Sequence, residues 1–429
     1  MKFHSAVLAA LTLAFAAQTS SFAAVIGTNV PANPLTPERV AALPAWKSYW
    51  ENSVRQRQAD QNVLHAEMKA LHLTNAIAPP KSSSPKGTPL DRTASWYGSD
   101  DARRIAENAA SFQTPAGGWS KHTDFTQHRR APGELFAGDS NSKFLITNDF
   151  DQPAEVNWSY IGTFDNDATI TELRFLAKVI VAGKTNTAAL EKSFARGLEY
   201  IFAAQFPNGG WPQVWPLQGG YHDDVTFNDD AMLNVIRLVR DVSLGGKEFS
   251  FVPAELRAKA DVVWKRGLDC VLAAQITANG KRTVWGQQHD ALTLQPSSAR
   301  NYEMPSAASS ESSTIVLFLM QLPNPDSNVV AAVHAAETWF KKTKIEGKSF
   351  QVVGTESRKL VDAPGAAPIW ARYYEIGTDK PIFGDRDQSI HDDVNEISRE
   401  RRKGYGWFKD TAKRVEQHYA KWAKLHPLK

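Results

Sequence analysis

The chain has 429 residues, 42% of them hydrophobic, a formal charge of +3 and a single cysteine, Cys270. That length permits one large domain or two smaller ones around a sizeable core, and the lone cysteine excludes an intramolecular disulfide. So slight a charge, without clustered basic stretches, argues against a nucleic-acid-binding role.

Residues 1–23 read as an export signal. Lys2 and His4 give a polar start, residues 6–17 are almost wholly apolar, and Ser21-Phe22-Ala23 is a small-x-small cleavage site. The apolar run is too short to span a bilayer, and no later segment is long and apolar enough to do so. A soluble protein secreted to the periplasm or the medium, with no membrane partner and as a monomer, is the expectation. Residues 24–94 form an N-terminal segment. Val25 to Pro34 is extended; Thr36-Pro37 supplies an N-cap and a first-turn proline for a helical stretch reaching about Leu73. The Pro- and Ser-rich residues 78–89 have no apolar period and read as a linker or surface strap.

The main domain, residues 95–429, is predicted to be mainly α. Ser99 caps a helix to about Phe112. Ile170, Leu173, Leu176, Ala177 and Ile180 form one stripe of a helix from Asp167 to Val181, with a partner over 187–206. Residues 228–242 with 253–275, and 310–322 with 328–342, repeat the hairpin, and 410–425 closes the chain. The best strand is 349–354. Cys270 lies in an apolar helical run and reads as a core residue.

One signature recurs: a helix ending in Gln, a turn, then Gly ahead of Trp. It reads Gln113-Thr-Pro-Ala-Gly117-Gly118-Trp119, then Gln205-Phe-Pro-Asn-Gly209-Gly210-Trp211, and more loosely Gln275 to Gly280 followed by Trp285. Such self-similarity marks a repeated unit. Helical hairpins of this kind close into a ring, an (α/α) toroid of about three hairpins, with short β-strands and long loops gathered at one mouth.

Those loops hold the residues able to do chemistry. Thr163-Phe-Asp165-Asn166-Asp167-Ala is echoed by Thr226-Phe-Asn228-Asp229-Asp230-Ala, each just before a helix. Asp and Asn there serve as N-caps in the simplest reading. They are also hard oxygen donors of the kind Ca²⁺ prefers, and acids from two hairpins facing across a mouth can share one ion. Arg300, Arg372 and Arg386 sit in aromatic, Gly- and Pro-containing loops and suit bidentate recognition of carboxylates, with Lys121 beside them. Many of the 13 Trp lie in loops; aromatic faces suit sugar rings, and equally fill cores. No P-loop, zinc-protease, dinucleotide or nucleophile-elbow signal is present.

Together these motifs resemble the pectate lyases of polysaccharide lyase family 10, from about Ser95 to the C-terminus. The resemblance rests on the two Gly-Gly-Trp segments, Phe164-Asp165-Asn166, Thr226-Phe-Asn228-Asp229, Ser298-Ala-Arg300-Asn-Tyr302-Glu303, Trp370-Ala-Arg372-Tyr-Tyr-Glu375 and Gly384-Asp385-Arg386. It implies Ca²⁺-dependent anti-β-elimination on polygalacturonate, giving 4,5-unsaturated oligogalacturonides. Asp165, Asn166 and Asp229 would then be metal residues, Arg300 the catalytic base, and Lys121, Tyr302, Arg372 and Arg386 substrate-binding. Asp167 stands where the family commonly has Gly, so the acid that meets the ion stays open. An inverting hydrolase using Asp165 and Asp229, or a non-catalytic uronate-binding protein, are the other readings.

Overall fold

The computed structural model describes residues 25–137, 149–150, 161–183, 186–355 and 357–428; the leader lies outside them. Helices α1 (Pro37–Val40) and α2 (Pro44–Ala70) precede α3 (Asp100–Ser111). Three hairpins follow: α4 (Ile170–Ala182) with α5 (Ala188–Ala204), α6 (Ala231–Leu244) with α7 (Ala254–Ala273), and α8 (Ser309–Met320) with α9 (Ser327–Thr343). The short α10 (Arg399–Gly404) leads to α11 (Ala412–Leu425), which packs on α8 and α9. Helix α4 touches α6, while α5 touches α7 and α7 touches α9. The hairpins thus lie side by side in two layers, an (α/α) toroid. The predicted stripe of α4 is buried throughout.

The repeated signature is a packing device. Gln113, Gln205 and Gln275 each donate twice, once within their own turn and once to the next outer helix. The acceptors are Gly117 (2.7 Å) and Ser193 (2.9 Å), Gly209 (3.0 Å) and Val263 (2.9 Å), and Thr283 (2.9 Å) and Ala332 (3.0 Å). A glutamine reaches two carbonyls with one amide, so each turn is pinned to its neighbour without a buried donor going unmet. Trp119, Trp211 and Trp285 are fully buried, and their indole N–H groups donate to Ala109, Ile201 and Val271 in the preceding outer helices. Trp370 repeats this on α9 through Phe340 (2.9 Å), a fourth unit that its missing Gly-Gly pair hid in the sequence.

Gly209 shows how tight these turns are. Its φ is +94°, and a Cβ would lie 2.2 Å from the Arg266 carbonyl oxygen. Gly209→Ala is expected to lose about 2–4 kcal/mol of stability, from backbone strain and displaced helix together. Gly280 has φ +74° with open space around it, so Gly280→Ala should cost only about 1 kcal/mol. Urea unfolding of both separates the two terms; equal losses would mean that the close approach to Arg266 carries no weight.

Strands are short. The longest pair, Lys348–Val352 with Arg358–Asp362, is an antiparallel hairpin. The N-terminal segment lies against the helices: Val25–Thr28 pairs with Ser389–His391, the Tyr49 hydroxyl donates to Ala204 (2.9 Å), and Glu67 pairs with Arg130 (2.5 Å). In the Pro- and Ser-rich stretch, the Ser82 N–H donates to the His122 carbonyl (2.8 Å). Burial pushes the Cys270 thiol up to about 12, as befits an inert core residue. Among the described residues no helix is long and apolar enough to cross a membrane.

Candidate active site

The two echoed loops fold alike. Phe164 and Phe227 are fully buried anchors, and their N–H groups donate to Gln213 and Gln287, each two residues beyond a core Trp. Past each anchor the backbone enters the left-handed region: φ is 51° at Asn166 and 65° at Asp167, 50° at Asp229 and 58° at Asp230. Asn and Asp tolerate this conformation better than most residues. In register, Asp165 corresponds to Asn228 and Asn166 to Asp229. This turn corrects the capping expectation. The N-cap residues of α4 and α6 are Thr169 and Asp230, and neither makes a side-chain capping bond; the left-handed turn directs the carboxylates and amides at one another instead.

They meet across the gap between hairpins. The Asn166 amide donates to Asp165 Oδ1 (3.2 Å) and to Asp229 Oδ2 (3.1 Å), which also accepts from Asn228 (3.0 Å). Lys121 Nζ lies 2.5 Å from Asp165 Oδ2. Burial would raise the Asp165 carboxyl, but Lys121, Gln213 and Arg300 hold it below its ordinary value. Asp229 is pushed up to about 6, first by loss of hydration in the cleft and then by the Asp165 charge, against the pull of Arg372 and Arg300. Two carboxylates thus share one donor while one of them resists ionising. Asp167, the extra carboxylate, is engaged elsewhere, by Lys86 and Asn234.

Would a hard cation fit here? The donors are hard oxygens, and the Asn166 amide nitrogen bridges both carboxylates as a cation would. Rotating that amide by half a turn brings its oxygen in instead. Among the described residues no group of three or more His, Cys, Asp or Glu gathers around a point. Ca²⁺ takes roughly six to eight oxygens, so two carboxylates and an amide would leave positions for water or substrate.

Opposite them stand the arginines. Arg300 grips Glu303 with two bonds, Nε to Oε2 (2.8 Å) and Nη2 to Oε1 (2.5 Å). Glu303 is buried, and although burial alone would raise it, Arg300 holds it near 2. The Tyr405 hydroxyl donates to the same carboxylate (2.6 Å) and contacts that of Tyr373 (2.5 Å). Burial works against the Arg300 charge, but Glu303 more than offsets it, so this guanidinium is firmly protonated. Arg372 donates to Asn228 (2.9 Å) and Glu311 (2.6 Å), and lies 4.8 Å above the Tyr405 ring. Arg386 stacks 5.5 Å from Tyr302, on which Arg300 also lies (5.1 Å), and pairs with Glu400 (2.9 Å).

All eight residues singled out in the sequence are thus joined in one network: Lys121, Asp165, Asn166 and Asp229 by direct bonds, Arg372 through Asn228, and Arg300, Tyr302 and Arg386 through stacked tyrosines. Sequence reading missed the roles of Glu303, Glu311 and Tyr405. For Tyr405 there was a signal, an aromatic pair set in Gly404-Tyr405-Gly406-Trp407.

The profile of the pectic acid lyase family matches residues 113–416. A family 10 polysaccharide lyase from Cellvibrio cellulosa is similar in structure, with a TM-score of 0.62 and 29% identity, over 79% of this chain and 99% of that one. An aspartate mutant of that enzyme in complex with trigalacturonic acid is equally similar, with a TM-score of 0.62 and 29% identity, over 77% of this chain and 96% of that one. No curated protein gives a significant match. With that match spanning both echoed loops and all three arginines, the chain belongs to the pectic acid lyase family and is a polysaccharide lyase.

Proposed function

We propose that this lyase cleaves α-1,4-linked polygalacturonate by Ca²⁺-dependent anti-β-elimination. The observation that carries the reading is the single bonded and stacked network that joins Asp165, Asn166 and Asp229 to Arg300, Arg372 and Arg386. The trigalacturonic acid complex of the similar enzyme supports the choice of substrate.

Asp165, Asn166 and Asp229 would hold the Ca²⁺. When bound, the ion would neutralise the uronate carboxylate and so make the neighbouring C5 proton more acidic. Arg372 and Arg386, backed by Tyr405 and Tyr302, would clamp further carboxylates of the polymer. Arg300 would take the C5 proton, and the C4–oxygen bond would break to leave a double bond. An ordinary guanidinium has a pKa above about 12, and Glu303 strengthens its hold on the proton, so Arg300 must shed that proton before acting. Glu303→Gln removes the opposing charge but keeps a hydrogen-bond acceptor. The alkaline rise of kcat/KM should then begin about one unit or more lower in pH. An unmoved rise would mean that Arg300 acts as a cation stabilising charge and that another group takes the proton.

An inverting hydrolase is disfavoured by geometry. Asp165 and Asp229 bond to the same amide nitrogen, which sets their facing oxygens closer than the roughly 6.5–9.5 Å that an inverting pair needs for its water. A direct test follows ultraviolet absorbance during incubation with polygalacturonate. A rise that a chelator abolishes is expected; new reducing ends without absorbance would sink the elimination scheme. We further propose that the protein is exported, since its polymeric substrate stays outside cells and residues 1–23 read as a cleavable leader.

A further inference from the structure

Helix α8 begins at the cleft: the Ser309 N–H donates to the Arg372 carbonyl (2.9 Å). It runs for 12 residues, so its far end lies about 18 Å away along its axis at about 1.5 Å per residue. There it meets α11 around a cavity of about 250 Å³. Met320, Gln321 and Trp422 form part of its wall, with Arg414, His418 and Lys421 beside them. The three basic side chains follow the helical spacing that sets them on one face of α11.

Charge and burial give this cavity a preference. None of its lining side chains is acidic. Glu416, on the same helix, is engaged by Lys344 (3.0 Å), and Glu337 of α9 by Lys341 (3.1 Å). Arg414 and Lys421 are exposed and form no ion pair among the described residues. Cations for a carboxylate and an apolar wall for the C–H face of a pyranose together describe an acidic sugar.

We propose that this cavity is a second, non-catalytic site for a uronate unit of the polymer, holding the enzyme on its substrate away from the cleft. The choice of occupant rests on the polygalacturonate reading of the cleft. In an Arg300→Ala background, which prevents digestion, affinity electrophoresis in polygalacturonate gels measures retention. Adding Arg414→Ala and Lys421→Ala should weaken it about five- to tenfold. Adding Lys413→Ala and Lys424→Ala instead removes the same charge from α11 outside the cavity and should leave retention nearly unchanged. In the wild-type background, Arg414→Ala with Lys421→Ala should leave turnover of trigalacturonate as it was. Equal weakening by both pairs, or by neither, overturns the second site. Failure of the wild-type enzyme to turn over either substrate overturns the cleft reading instead, and is seen independently of retention.

Discussion

Arg300→Lys should lower kcat on polygalacturonate by about 10³-fold, with KM changed far less. Lysine keeps the positive charge but loses the planar fork that grips both oxygens of Glu303. A shorter contact list is not the main loss. Arg300 lies over the Tyr302 and Tyr405 rings at 5.1 and 5.8 Å, and a tetrahedral ammonium cannot stack there while pointing a nitrogen at C5. Arg300→Ala should be at least as severe. It also leaves the buried Glu303 carboxylate without its main partner, so circular dichroism and thermal unfolding must accompany the kinetics. Near-normal turnover by the lysine variant would mean that Arg300 is not the base. A rise in KM at constant kcat would make it a substrate clamp.

The toroid was legible because its repeat is written in residue types with few substitutes. Only Gln spans two carbonyls as Gln113 and Gln205 do, and only Gly fits beneath Arg266 at position 209. The inner helix α4 announced itself by its apolar stripe. The site was legible as a set of loops and not as a wiring diagram. Asp165 and Asn166 read equally well as caps, since capping and ion binding use the same atoms; the left-handed turns that rule out capping leave little trace where Asn and Asp already tolerate that conformation. Glu303 was hidden for another reason. A carboxylate three residues from Arg300 looks like any local surface pair until its burial and the Tyr405 hydroxyl, 102 positions away, are known. The N-terminal segment gave no hint of its contact with the site, where the Asn29 amide donates to the Asn301 carbonyl (3.0 Å).

Asp229→Asn should weaken Ca²⁺ binding by on the order of 10²-fold and change its pH dependence in a way that identifies the ligand. In the free enzyme Asp229 ionises at about 6, raised by loss of hydration and by Asp165. Above that value the site presents two carboxylates, and Ca²⁺ affinity should be flat with pH. Below it Asp229 holds a proton that the ion must displace, so affinity should fall about tenfold for each further pH unit. Asp165, held below its ordinary value by Lys121, Gln213 and Arg300, adds no proton in that window. An amide at position 229 cannot take up that proton, so the variant should bind weakly but with no break near pH 6. Calorimetric titration of Ca²⁺ into both proteins from mildly acidic to neutral pH reads affinity and proton release together. The wild type should release close to one proton per ion on the acid side, and the variant close to none. If both proteins share the break, another group titrates there. If both bind Ca²⁺ equally well, the ion sits elsewhere, and Asp229 serves the cleft through its bonds to Asn166 and Asn228 alone.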